Sequence, residues 1–543
     1  MKKNKYLLLI SSLGVFALLV AAAVEENFFK EWRSIQSSAR NEEGPVPVML
    51  RQVVNPSLRV ADRCVSCHVS MAPGEQSVTG GALLKPHKNV VHDPSDYGCT
   101  VCHGGQGSAT NKEDAHGDVH FWPSPMIPAR MSYAGCGTCH ATLRVPNADL
   151  MVHARNAFER LDCLACHRVE NRGGTIRPGG GGMEGPDLSR VGAAGYDAGW
   201  YEKHLAAKWK IPFAGVSAQD RELLGVYLST RVAASPLIEA KAVFHSSGCL
   251  GCHKVSGTGG DEGPDLSRAG EKDPGQVNLD LAPGKPSLGG WISEHFRAPS
   301  SVTAGSQMPA MGMSEERIAQ LTFYVLSLRR RDLPAAYTPK DRMRAAKLGE
   351  REFSADGATL FAAFCSGCHG PEGVGRRAPG MPAFPAIGSE DFLSRVSDEF
   401  LTENIKRGRP GRRMPNWGEK EGGLRPAEIQ SIVAYLREKH EATSARPDKE
   451  KSSGEPNVGK QLFAAACSGC HGAKGEGGEG PALNNQVLLS TATDFYLRET
   501  IGEGRRGTAM AGFLYASPAR RTLGPSEVES IVAFLRTWQK GKP

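Results

Sequence analysis

No cysteine is spare in this chain of 543 residues: all fourteen fall within seven Cys-x-x-Cys-His strings, which leaves nothing for a disulfide framework. Long apolar runs are missing beyond residue 24, so no second membrane-spanning helix is expected. Aromatic residues make up only 7% and apolar residues 40%, against 64 glycines and 35 prolines. That is little material for one conventional core, and the length calls for several domains. Basic and aromatic residues are not interleaved as on a nucleic-acid-binding face, so the formal charge of +7 does not make nucleic acid a partner.

What is present is the repeated string itself. It supplies Cys64, Cys67 and His68; Cys99, Cys102 and His103; Cys136, Cys139 and His140; Cys163, Cys166 and His167; Cys249, Cys252 and His253; Cys365, Cys368 and His369; and Cys467, Cys470 and His471. Two thiols at this spacing form thioethers to one haem, and the adjacent histidine binds its iron. Structural zinc would not require histidine after every second cysteine. Seven covalently attached haem c groups are therefore expected, and their apolar faces replace the missing core. Two propionates per haem would carry the charge from +7 to about −7.

Along the chain, residues 1–28 read as a signal peptide or an N-terminal membrane anchor, with `MKKNK` before the apolar run Tyr6 to Val24. The run either stays as one span or is cleaved near Ala21 to Ala23. The following `ENFFKEWRSIQ` predicts a helix that lies at the membrane interface through Phe28, Phe29 and Trp32, or else packs on the first haem module. Residues 29–150 form a histidine-rich trihaem region organised by haem more than by regular structure. Four segments follow at 151–234, 235–333, 346–440 and 456–541, each with a motif, a Gly/Pro-rich loop and a periodic apolar helix, which marks an internal repeat. Linkers are expected at 334–345 and 441–455; the second lacks aromatic residues and reads as flexible, leaving the last two modules free to move. Gly-Pro-Asp-Leu-Ser-Arg occurs twice, at Gly185 to Arg190 and Gly263 to Arg268.

The second iron ligand sets potential and access. Met308, Met414 and Met510 stand at equivalent places between motif and closing helix, with Met311 and Met313 as rivals to Met308. In the 151–234 segment Ile211 takes that place and cannot bind iron. Four of His87, His92, His116, His120 and His153 would complete four bis-histidine haems, with His204 a weaker rival for the fourth; His245, His295 and His440 read as structural. Thioether ligation raises potential, so electrons are expected to run downhill from the N-terminal group to the C-terminal modules.

These motifs resemble multihaem c-type cytochromes, and 235–333, 346–440 and 456–541 resemble class I cytochrome c domains, with 151–234 an altered copy. The resemblance implies a mainly α fold, with a haem-organised N-terminal region followed by tandem class I modules, and His/Met ligation through His253 and Met308, His369 and Met414, and His471 and Met510. The front, with `YGCTVCHGGQG` and `AGCGTCH`, is similar to parts of membrane-associated respiratory cytochromes. That implies a non-catalytic electron-transfer subunit of a bacterial quinol-oxidising complex, beside membrane cytochrome b and iron-sulfur or other subunits, feeding a soluble or membrane redox acceptor. The expected location is the cytoplasmic membrane with the bulk in the periplasm, or a cleaved periplasmic form. Two alternatives stay open: a reductase or peroxidase with one open haem, and an extracellular electron conduit.

Overall fold

The computed structural model describes all residues except 1, 73, 76, 82, 88–91, 120–121, 123, 141–143, 171, 175–184, 195–198, 201–202, 204–215, 285, 330–331, 378–382, 446–450, 507, 519 and 541–543. His120, His204 and Ile211 lie outside the described residues. The chain is mainly helical and divides into two compact units, 1–141 with 268–302 and 322–343, and 142–267 with 303–321 and 344–543.

The first unit begins with the 23-residue helix Lys2–Val24, long enough at about 1.5 Å per residue to cross a hydrocarbon layer of about 30 Å. Its apolar window has a mean hydropathy of 2.7 and none of it is buried. A widened turn, Glu25–Phe29, then leads to the helix Glu31–Ser38. Phe28 and Phe29 are exposed, but Trp32 is buried, which corrects the interfacial reading of that residue. The cause is helical periodicity: Trp32 and Gln36 share one face and both are buried. Gln36 donates to the Ser66 carbonyl (2.8 Å) and accepts from Met49 N (2.9 Å) and the Arg51 guanidinium (2.6 Å). A buried amide bonded through both its oxygen and its nitrogen thus anchors the turn inside the first motif.

The hairpin Val53–Asn55 with Val60–Asp62 pairs Val53 with Asp62 and ends just before Cys64. Asp62 is buried and accepts from Cys99 N (2.6 Å), Thr100 N (2.7 Å) and the Thr100 hydroxyl (2.8 Å), so the strand leading into the first motif caps the helix Thr100–His103 of the second. The third motif lies on the second: a Cβ at Gly135 would fall 1.8 Å from the Cys102 carbonyl. The first motif is thus tied to the second through the Asp62 carboxylate, and the third rests on the second through main chain. Asp62→Ala leaves two half-buried amides and a hydroxyl without their acceptor, and should cost about 2–3 kcal/mol. Chemical denaturation of the holo-protein checks this, and a loss below 0.5 kcal/mol would remove Asp62 from the account.

The second unit is built from crossed helix pairs. Ala148–Arg160 packs on Ala218–Ser229 through Phe158 and Tyr227, whose rings stack at 4.3 Å, with Ala154, Leu224 and Leu228 around them. Gly357–Leu360, continued by the widened turn Phe361–Cys365, crosses Pro426–Lys439, with Phe361 against Tyr435 at 5.5 Å. Pro456–Ala466 crosses Pro525–Arg536, with Phe463 against Phe534 (5.6 Å) and Trp538 (5.2 Å). At this last crossing a Cβ on Gly459 would fall 1.8 Å from the Ser530 carbonyl, so only glycine lets the helices approach so closely.

The segments holding the last two motifs also touch directly. The Arg505 guanidinium lies 4.3 Å over the Phe392 ring, Arg395 donates to the Gly504 carbonyl (2.9 Å), and Asp391 accepts from Arg506 N (3.0 Å). The ends of the 441–455 linker are bonded too, Ala445 N to the Val396 carbonyl (3.1 Å) and Ser452 N to Asp494 (2.6 Å); residues 446–450 between them lie outside the described residues.

Candidate haem sites

Each Cys-x-x-Cys-His string is a single helical turn. At six motifs the histidine amide donates to the carbonyl of the first cysteine at 2.8–3.0 Å, and Ser366–His369 forms the same turn as a short helix. One turn thus carries two thiols and one imidazole.

The imidazoles are held from behind. Nδ1 of His167, His253, His369 and His471 hydrogen-bonds to the carbonyls of Pro186, Pro264, Pro385 and Pro481 at 2.8–2.9 Å. A carbonyl only accepts, so the proton sits on Nδ1 and Nε2 keeps its lone pair for a metal. Glycines give the rings room: a Cβ on Gly185, Gly263 or Gly480 would fall 2.5–2.8 Å from His167, His253 or His471. Burial lowers the proton affinity of His68, His103, His253 and His369, which favours the neutral, ligating form. Paired thiols, a neutral imidazole with a free Nε2 and a side-chain-free cradle fit covalently bound haem.

The repeated Gly-Pro-Asp-Leu-Ser-Arg string now has a structural account. In both copies the serine hydroxyl accepts from the hairpin turn, Glu170 N to Ser189 and Ser256 N to Ser267, each at 2.7 Å. Both serine amides bond to the aspartate two residues earlier, at 2.8 Å and 2.7 Å. The altered segment therefore keeps the proximal scaffold of the fifth even though Ile211 replaces methionine. The proline carbonyls went unread in sequence; the shared Gly-Pro was the available signal, and Phe384-Pro385 hides it in the sixth segment.

Met308, Met414 and Met510, the candidate second ligands, are half-buried, as are Met311 and Met313. The Met414 and Met510 loops match: each follows a helix ending in a left-handed glycine, Gly408 or Gly504, and the next residue's amide bonds to the methionine carbonyl, Arg409 to Met414 (2.9 Å) and Arg505 to Met510 (2.7 Å). Met308 and Met510 share a hydroxyl two residues upstream that accepts from the methionine amide, Ser306 at 3.3 Å and Thr508 at 3.1 Å.

Among the additional histidines, His87 faces His103 with ring centroids 6.1 Å apart and planes at 67°, and His92 faces His140 at 6.2 Å and 21°. His116 ends the helix Lys112–His116, and its charge contributes to lowering the proton affinity of His68, after burial and against a backbone bond at Leu83. His153 is exposed on Ala148–Arg160. His440 bonds to the Glu372 carbonyl (2.8 Å) and His295 stacks on Trp291 at 5.1 Å.

Two motifs in the second unit meet back to back. The Cys252 and Cys368 sulfurs are 4.0 Å apart.

Residues 353–436 match the family model for cytochrome c oxidase, cbb3-type, subunit III; 237–329 and 457–539 match that for cytochrome c; and 25–104 match that for cytochrome c554 and c-prime. The cbb3-type cytochrome c oxidase subunit FixP of Bradyrhizobium sp. (strain ORS 278) is 30% identical over 197 residues, covering 35% of this chain and 62% of that protein. The subunit CcoP of Rhodobacter capsulatus is 29% identical over 198 residues, covering 34% and 62%. The chain thus spans under two thirds of the length of these relatives. Among solved structures, a chain of the Kuenenia stuttgartiensis reducing HAO-like protein complex aligns over 34% of this chain and 96% of its own, with 16% identity and a TM-score of 0.22.

Proposed function

We propose, from the premise that this chain is a multihaem c-type cytochrome homologous to cbb3-type oxidase subunits, that it is an anchored electron-relay subunit of a bacterial respiratory complex holding seven haems. Bound haem supplies reversible one-electron exchange between Fe(III) and Fe(II). The chain's own residues do the rest. Fourteen cysteines fix the groups covalently, and the seven motif histidines present Nε2 from one side. Met308, Met414 and Met510 present thioether sulfur from the other side in the C-terminal segments, and histidines do so in the front. The observation that carries the reading is the fourfold repetition of an imidazole pinned through Nδ1 to a proline carbonyl.

The helix Lys2–Val24 serves as the anchor, with the remainder in the periplasm. Likeness of the C-terminal segments to oxidase subunits supports a membrane oxidase as one partner, and a quinol-oxidising donor with cytochrome b and iron-sulfur subunits would load the front. Purification from membranes with the partner subunits still bound tests this assignment, and recovery of the chain alone under conditions that preserve other respiratory complexes would overturn it.

Near-infrared magnetic circular dichroism of the oxidised, mass-verified holo-protein should show four bis-histidine and three histidine–methionine haems. A full-occupancy high-spin haem would instead support a catalytic site. Met414→His should lower one haem potential by at least about 0.1 V, since axial ligands span about 0.8 V. A redox titration that leaves all potentials in place would exclude Met414 as a ligand.

A further inference from the structure

Two imidazole pairs in the first unit repeat one arrangement, a motif histidine facing a non-motif histidine. Imidazoles bound to one metal at about 2.0 Å, each with its nitrogen about 1.1 Å from the ring centre, have centroids about 6.2 Å apart. The observed separations are 6.1 Å and 6.2 Å. Ordinary aromatic contacts fall anywhere between about 4.5 and 7 Å, so one coincidence would carry little. Two agree to within 0.1 Å of each other, and each contains the histidine that follows a Cys-x-x-Cys pair.

We propose that His87 and His103 are the two axial ligands of the second haem, and His92 and His140 those of the third. The assignment rests on the reading that these motifs carry haem, and deepens it by naming partners. Its topology is crossed. His87 precedes its motif by 12 positions, whereas His92 passes over the second motif to reach the third. Two neighbouring haems are then closed by one short stretch of chain, and the third motif takes its second ligand from before the second motif.

The ring angles give each pair its own signature. Nearly parallel imidazole planes, as in His92/His140, produce a rhombic low-spin ferric signal in electron paramagnetic resonance. Steeply crossed planes, as in His87/His103, produce a strongly anisotropic signal with a larger maximum g value.

The test uses the full-length holo-protein with haem counted by mass. His87→Ala should remove one haem's worth of the large-g signal, create one high-spin haem and leave the rhombic signal intact; His92→Ala should do the converse. Added imidazole should restore the low-spin state in each. His87→Met, which keeps a ligand and protects against misfolding, should convert one bis-histidine near-infrared band to the histidine–methionine position. Unchanged bis-histidine intensity in a seven-haem His87→Ala variant, or loss of the rhombic signal instead, would overturn the pairing while leaving the haem reading intact. Absence of haem at Cys99 or Cys136 in the parent protein would overturn both.

Discussion

Gly367→Val is expected to remove the fifth and sixth haems together, not the sixth alone. Gly367 sits between the two cysteines of its motif, and its backbone lies on that of Gly248, one residue before Cys249. A Cβ at Gly367 would fall 2.3 Å from the Gly248 carbonyl, and a Cβ at Gly248 would fall 2.3 Å from the Gly367 amide. Neither clash can be relieved by a rotamer, because the obstacle on both sides is main chain. Overpacking of this kind costs about 1–3 kcal/mol, and a rigid backbone contact belongs at the upper end. Relief requires the motifs to separate, which also parts the Cys252 and Cys368 sulfurs from their 4.0 Å approach. A control is built into the chain. Gly469 holds the same place in the seventh motif, within the same Cys-Ser-Gly-Cys-His string, and a Cβ there meets nothing within 4 Å. Gly469→Val should therefore be nearly neutral. Mass spectrometry of attached haem and denaturation of both variants decide the matter, and equal effects at the two positions would mean that valine is simply poor in this string.

That control shows where sequence reading reaches its limit. The strings at Cys365 and Cys467 are locally identical, and nothing in them tells which glycine faces another chain segment. What was legible was whatever covalent spacing or helical period encodes: the seven motifs, the closing helices and the apolar start. The fold class follows from the same repeats, and the matches at 237–329, 353–436 and 457–539 fall on segments read as class I domains. Features that depend on distant partners were not legible. His92 and His140 are 48 positions apart, so only the tertiary fold brings them together. Asp62 is an unremarked acid in sequence, yet it caps a helix 37 residues later. Trp32 could face lipid or core because an amphipathic helix has one apolar side either way, and the Gln36 network decides for the core.

Acidification from pH 7.5 to pH 5 should weaken the fold of the second unit, and His245→Phe should remove a large part of that sensitivity. His245 is buried in Ser235–Ser246, and burial, aided by the charge of Lys241, brings its proton affinity from 6.5 down to about 3. Its Nδ1 has no hydrogen-bond partner among the described residues, and Phe353 stands edge-on at 5.8 Å. Lys241 is itself buried and paired with Glu352 at 2.8 Å, so it stays charged beside the ring and opposes a second positive charge. The sign follows from which state takes up the proton. Above pH 6.5 both folded and unfolded chains hold a neutral imidazole and the group contributes nothing that varies with pH. Between 6.5 and about 3 the unfolded chain binds a proton that the folded chain refuses, so stability falls as pH falls. The depression of proton affinity corresponds to about 5 kcal/mol over the whole window, of which about 2 kcal/mol is spent by pH 5. Phenylalanine has similar volume, suits the neighbours Phe244 and Phe353, and does not titrate. Denaturation at pH 7.5 and pH 5.0 should show the parent losing about 2 kcal/mol more than the variant. Parallel losses in the two proteins would mean that His245 takes up its proton in the folded state, and the buried, unprotonated ring would have to be abandoned.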